Sequence, residues 1–249
     1  MDHAMEPRPC VIRPEKSTEC RSGLSGVSCS VVVDRSSQGC RNLVQRIIEL
    51  APGAELVSKN EASEEVFFVV SGKGAIRLGT VSYGLEPEMG VLASEDTAYS
   101  IQSTGPEALK LISVLSPQPG RAASLPPSKK TRPGANPTVR ASRQKVTSAG
   151  GERRFKLMID PRHGARYVTQ FIGYIAQSKA PFHKHEYEEV ITILDGQGVL
   201  HLASGSFPVD PGSCIYLPAG AEHCLENPHP EPLRIVGVFS PSGSPAARY

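Results

Sequence analysis

The chain has 249 residues, room for two domains of roughly 100 residues each or one larger unit. Its net charge of +2 gives no electrostatic case for nucleic acid or a membrane surface, and the absence of tryptophan beside 23 glycines and 22 prolines favours short strands and tight turns over long helices. No apolar run approaches the ~18 residues of a transmembrane helix, and Met1–Glu6 lacks the basic-then-apolar pattern of a signal peptide. The expectation is a soluble cytoplasmic protein with no nucleic-acid or membrane partner.

Residues 1–40 show little periodicity and read as an arm that packs on, or adds a strand to, a neighbouring unit. Four of the six cysteines (Cys10, Cys20, Cys29 and Cys40) lie there, and Cys214 and Cys224 lie far downstream. No CxxC occurs, so free thiols are expected rather than a zinc site or a disulfide framework. From residue 41 the pattern changes. Leu43–Leu50 is rich in apolar residues, Pro52-Gly53 marks a turn, and Val66–Val70 is a run of β-branched and aromatic residues. Short strands broken by Gly72, Gly84, Gly90 and Gly105 continue to residue 116, as in a compact all-β unit. Residues 117–151 carry basic side chains but no acidic ones, with many prolines, and read as an extended basic linker rather than an arm for an anionic partner. Over residues 152–249 strands return at Tyr167–Ile175, Val190–Leu194, Gly198–Leu202, Cys214–Leu217 and Leu233–Phe239, so the two halves look like repeats of one architecture.

Chemistry concentrates in the second half. His183 and His185 are two apart in extended sequence and therefore share a face. Glu189 keeps their parity and shares it with Ile191 and Ile193, whereas Glu188 points the other way. A carboxylate aimed into an apolar interior is costly unless it is paired or bound to metal. His223 follows the turn Pro218-Ala219-Gly220, which can fold its strand back beside the first. Three imidazoles and one carboxylate would then surround a point and leave open positions on a six-coordinate metal. His201, His163 and His229 read as rim, loop and solvent residues. Gln170, Phe171, Tyr174 and Tyr216 lie on strands beside this site. Gln170 is the candidate pocket residue, because a buried amide needs partners.

The sequence resembles the cupin superfamily. The first motif of that family, G(x)5HxH(x)3–4E(x)6G, is matched by His183, His185, Glu189 and Gly196, with Gln177 in place of the leading glycine. The second, G(x)5PxG(x)2H(x)3N, is matched by Gly212, Pro218, Gly220, His223 and Asn227. In the first half the same frame runs through Gly53, Lys59, Glu61, Glu65 and Gly72, and Gly90 is taken to open a second motif whose Pro, Gly and His positions hold Asp96, Ala98 and Ile101. Lys59 is expected to pair with Glu61 or Glu65. The resemblance implies an all-β fold of two tandem jelly-roll barrels (residues 41–116 and 152–249), with metal ligands only in the second. It implies one divalent transition metal on His183, His185, Glu189 and His223, iron or manganese foremost and zinc, nickel, copper or cobalt as alternatives. The expected activity is that of a dioxygenase or related oxidoreductase on a small organic acid. The alternatives are an isomerase, decarboxylase or lyase of a small carbonyl or sugar-like substrate, and a non-catalytic small-molecule binder. A homodimer is consistent with the resemblance.

Overall fold

The computed structural model describes residues 6–13, 18–19, 24–120, 127–128, 131 and 134–246. The readings of Met1–Met5, of Cys20 and of residues 121–126, 129–130 and 132–133 of the basic stretch lie outside the described residues. In chain order the first half contains β1 (Cys10–Ile12), β2 (Thr18–Glu19), β3 (Val27–Val33), the short α1 (Arg35–Gln38), β4 (Val44–Leu50), β5 (Glu55–Lys59), β6 (Glu64–Ser71), β7 (Gly74–Leu78), β8 (Val81–Leu85), β9 (Met89–Ala93), β10 (Ala98–Ser103) and β11 (Leu109–Ser116). The second contains β12 (Thr138–Arg140), β13 (Thr147–Gly150), β14 (Arg153–Ile159), β15 (Thr169–Ile175), β16 (Ser178–Lys179), β17 (Glu188–Asp195), β18 (Gly198–Leu202), β19 (Gly205–Val209), β20 (Cys214–Leu217), β21 (His223–Asn227) and β22 (Leu233–Ser240).

Each half is a jelly roll of one seven-stranded and one four-stranded antiparallel sheet. The orders are β12-β9-β6-β11-β4-β3-β2 with β5-β10-β7-β8, and β1-β20-β17-β22-β15-β14-β13 with β16-β21-β18-β19. The all-β expectation and the tandem barrels are borne out.

The apolar side chains sort into three cores. Phe67, Val69, Ile76 and Leu111 fill the first barrel. Ile191, Ile193, Leu200 and Leu217 belong to the second. A third core lies between the barrels, where Val66, Phe68 and Val114 meet Val190, Val236 and Val238. Strand parity explains the sorting. On β6, Glu65, Phe67 and Val69 point into their own barrel while Glu64, Val66 and Phe68 point at the other. β17 repeats this with Glu189, Ile191 and Ile193 against Glu188, Val190 and Thr192. Burial on both faces gives these strands near-continuous rather than alternating apolar runs.

The barrels also exchange strands. β1, which precedes the first barrel, pairs with β20 of the second, with Val11 opposite Ile215. β12, which precedes the second barrel, pairs with β9 of the first, with Val139 opposite Gly90. Each added strand covers an edge that would otherwise present unpaired amides. The N-terminal stretch thus supplies strands to both barrels, since β3 lies beside β4 in the first. The basic stretch is not an extended tether through to residue 151, because β12 and β13 draw part of it into the sheets. Backbone pairing at a sheet edge there offsets an ordering cost that composition alone left uncompensated.

Two buried carboxylates lock the halves reciprocally. Glu188 accepts the backbone N–H of Arg41 at 2.6 Å and of Asn42 at 2.8 Å, together with the Tyr216 hydroxyl at 2.8 Å. Glu64 accepts the backbone N–H of Arg166, Tyr167 and Val168 at 2.6, 2.7 and 2.9 Å.

Candidate metal centre

His183 and His223 face each other across an antiparallel bridge, each backbone N–H donating to the other's carbonyl at 3.0 and 2.9 Å. The carbonyl of His185 accepts from Gly220 N at 2.7 Å, and the left-handed φ of +80° at Gly220 makes that approach available to the turn. One ring nitrogen from each of His183, His185 and His223 falls within a set of atoms no more than 4.8 Å apart. Nδ1 of His183 lies 3.1 Å from the Pro181 carbonyl and Nδ1 of His223 lies 2.9 Å from the Ala221 carbonyl. A carbonyl can only accept, so Nδ1 carries the proton in both rings and Nε2 keeps its lone pair for a ligand role. Burial holds the His223 pKa below its ordinary value, which favours the neutral, coordinating form. His185 stacks on Tyr187 at 4.5 Å between ring centroids, and Tyr187 stacks on Phe239 at 4.2 Å, so the ring orientation is set by packing.

Glu189 lies on the same side of β17 as the cavity, with Oε2 3.9 Å from His185 Nε2. Burial pushes its carboxyl up to about 8, against the opposing pull of the Arg153 charge. A Cβ on Gly237 would sit 3.3 Å from Glu189 Oε1 and 2.4 Å from the Phe171 ring, so glycine there leaves room for both. Three imidazoles beside a desolvated carboxylate fit a divalent cation, which would compensate the charge that burial penalises. The cavity measures about 80 Å³, and its walls include Phe155, Phe171, Leu200 and Leu225.

Arg153 also lines this cavity, with one guanidinium nitrogen 3.4 Å from His183 Nε2. Sequence reasoning passed over it. The available signal was the Gly150-Gly151 turn followed by the alternation Arg153, Phe155, Leu157, which places the arginine on the face of the two apolar residues. Gln170, in contrast, is not a cavity residue. It has the opposite parity to Phe171 and packs between the barrels, where a Cβ on Gly90 would come within 2.6 Å of its Oε1. Tyr216 likewise faces Glu188, and Tyr174 lies beneath Lys156 and Arg234 on the outer side. His201 bridges Ser206 at 2.7 Å and Glu226 at 2.6 Å on the outer face of β18, while His163 pairs with Asp160.

The first barrel holds different chemistry at the matching positions. Glu65 pairs with Ala93 of β9 as Glu189 pairs with Leu217 of β20, so the two glutamates correspond. Glu65 is surrounded by Arg46 and Ser113, by Asn60 Nδ2 at 2.6 Å and by the Tyr99 hydroxyl at 2.7 Å. Lys59 does not pair with Glu61 or Glu65. It lies at the surface, 3.9 Å from Asp96, because Arg46 reaches the buried carboxylate from the adjacent strand. Nor is Ile101 the counterpart of His223. Tyr99 lies opposite Leu78 as His223 lies opposite Leu202, so Tyr99 takes that place and Ile101 belongs to the barrel core. The frame opens at Glu88 rather than Gly90: Glu88 and Asp96 adopt φ of 62° and 58° where Gly212 and Gly220 adopt 91° and 80°.

Residues 172–239 match the cupin domain model. A segment of 88 residues is 33% identical to auxin-binding protein 1 of Arabidopsis thaliana, covering 31% of this chain and 44% of that protein. One of 90 residues is 29% identical to auxin-binding protein T85 of Nicotiana tabacum, covering 31% and 48%. The chain thus spans about half the length of these curated relatives. Among solved structures, a point mutant of Bacillus subtilis oxalate decarboxylase OxdC superimposes with a TM-score of 0.78 at 14% identity, over 100% of this chain and 80% of that one. A putative glyoxylate-induced protein from Pseudomonas aeruginosa superimposes with a TM-score of 0.75 at 16% identity, over 96% and 91%. These two likenesses are likenesses of fold.

Proposed function

Starting from a chain built as two tandem cupin barrels, we propose that the second barrel is the active half of a metal-dependent enzyme. It would hold one iron or manganese ion on His183, His185, Glu189 and His223 and act on a small organic acid as a dioxygenase or related oxidoreductase. The observation that carries this reading is the convergence of three imidazoles beside a buried glutamate in an apolar-walled cavity. When bound, such an ion supplies Lewis acidity and one-electron chemistry. The chain supplies the rest. The Pro181 and Ala221 carbonyls fix two imidazole tautomers, and the Tyr187–Phe239 stack holds the third ring. Glu189 contributes the negative charge, and the apolar walls keep bulk water from the reacting groups. Among the described residues no helix is long and apolar enough to cross a membrane. Cys10, Cys40, Cys214 and Cys224 are free thiols, which supports a reducing, cytoplasmic setting.

The test is elemental analysis of untagged protein beside a His183→Ala/His185→Ala variant, followed by an oxygen-consumption screen over small acids. About one equivalent of iron or manganese in the parent, lost in the variant, with metal-dependent oxygen uptake, is the expected result. Equal metal content in both proteins would overturn the ligand assignment. A second reading, a binding protein that does not transform its ligand, is supported by the two auxin-binding relatives. Recovery of a bound small molecule unchanged after long incubation with the metal-loaded protein would favour it.

A further inference from the structure

The cavity carries a cation that the metal reading leaves unused. Arg153 opens β14 just beyond the Gly150-Gly151 turn, faces inward with Phe155, and brings its guanidinium within 3.4 Å of His183 Nε2. The neighbouring Arg154 also borders the cavity but has the opposite parity on β14 and is exposed. In the first barrel Val27 stands where Arg153 does, because Val27 pairs with Leu50 as Arg153 pairs with Ile175. The arginine of that barrel, Arg46, is taken up by Glu65. In the second barrel the arginine lines the cavity beside His183, with Glu189 within reach of its charge.

A divalent ion, one carboxylate and one guanidinium sum to a net charge of about +2 against apolar walls, a state that favours entry of an anion. A carboxylate is the planar, two-oxygen partner that a guanidinium binds most specifically. The volume limits the rest of the molecule. The cavity of about 80 Å³, set against the roughly 10–15 Å³ that one water occupies on the same measure, has room for about five to eight water-sized groups, which suits an acid of a few carbons.

We propose, resting on the metal reading above, that Arg153 is the carboxylate anchor of this cavity. The site would take short-chain carboxylates, with the carboxylate on the guanidinium and the carbon chain against Phe171 and Leu225.

The experiment compares propionate with propionamide, which match in size and differ in charge, by calorimetric titration of the metal-loaded protein, with metal content measured on every sample. Wild type is expected to bind propionate at least about tenfold more tightly than propionamide. Arg153→Gln is expected to erase that preference while keeping the parent's metal content and melting temperature, and Arg153→Lys to restore part of it. Equal binding of the two probes by metal-replete wild type would overturn the anchor and leave the metal reading standing. So would an Arg153→Gln variant that keeps the preference, or one that weakens both probes equally. Absence of metal from wild type would defeat the metal reading itself. In that case a propionate preference retained by the metal-free chain and lost in Arg153→Gln would still support the anchor, and its absence would overturn both.

Discussion

The two barrels place a glutamate at the same point of the same strand and surround it with opposite chemistry. Glu65 is neutralised within the protein, by Arg46 and three polar neighbours. Glu189 is desolvated beside three imidazoles and within reach of the Arg153 charge. A fully satisfied carboxylate is a structural element, and one that burial penalises invites a cation from solution. The fold is therefore neutral about function, and what distinguishes the halves is the set of groups gathered round the glutamate.

The severest way to break the comparison is to separate the barrels. Expressed alone, residues 134–249 lose β1, the Glu188 clamp and one wall of the shared core, and should show no cooperative melt by differential scanning calorimetry. A sharp transition would show that the barrels are independent. The next test substitutes the paired glutamates. Glu65→Ala leaves Arg46 without its main partner and should cost about 3–5 kcal/mol in urea denaturation. Glu189→Gln in metal-free protein at neutral pH removes a carboxyl whose native pKa is raised to about 8. It should therefore stabilise, by on the order of 2 kcal/mol. Destabilisation by both substitutions would mean that Glu189 is structural too.

A smaller effect separates the clamps from the centre. Burial pushes Glu64 up to about 7, against three backbone N–H donors that pull it down. Native protein then binds this proton more tightly than unfolded chain. The Glu64 contribution to stability is full below the ordinary value of 4.5, falls as the pH rises toward about 7, and is level above that. Replacing Glu64 with Gln should flatten this slope in stability measured from pH 4 to 8, and an unchanged slope would assign it to other groups. The smallest effect concerns the turns. Asp96→Gly relieves a left-handed φ of 58°, and because Lys59 lies as far as 3.9 Å away at the surface, the variant should gain up to about 1 kcal/mol. A loss would show that the ion pair outweighs backbone strain.

The second barrel was the more legible in sequence because its turns keep glycine and its strand parity puts His183, His185 and Glu189 on one face. In the first barrel the left-handed turn positions are held by Glu88, which carries no turn signature, and Asp96, which marks a turn less sharply than glycine, and Gly90 offered a false frame. That glycine serves another purpose, since a side chain there would collide with Gln170. Parity correctly sent Glu188 away from its own barrel, but only tertiary structure shows that outward means into the other barrel, onto Arg41 and Asn42. The exchanged strands β1 and β12 are too short for any periodicity, and Arg153 lies just beyond a stretch whose composition suggested a tether.

The strand exchange has a consequence for how variation in this chain would be felt in a cell. Because β12 binds the first barrel before the chain enters the second, and β1 closes the second from the far end, a damaging change in the first barrel should lower the amount of folded protein without altering the cavity of each surviving molecule. Such variants would present as a shortage of protein, whereas variants at His183 or Glu189 would present as full abundance of a protein with an altered cavity.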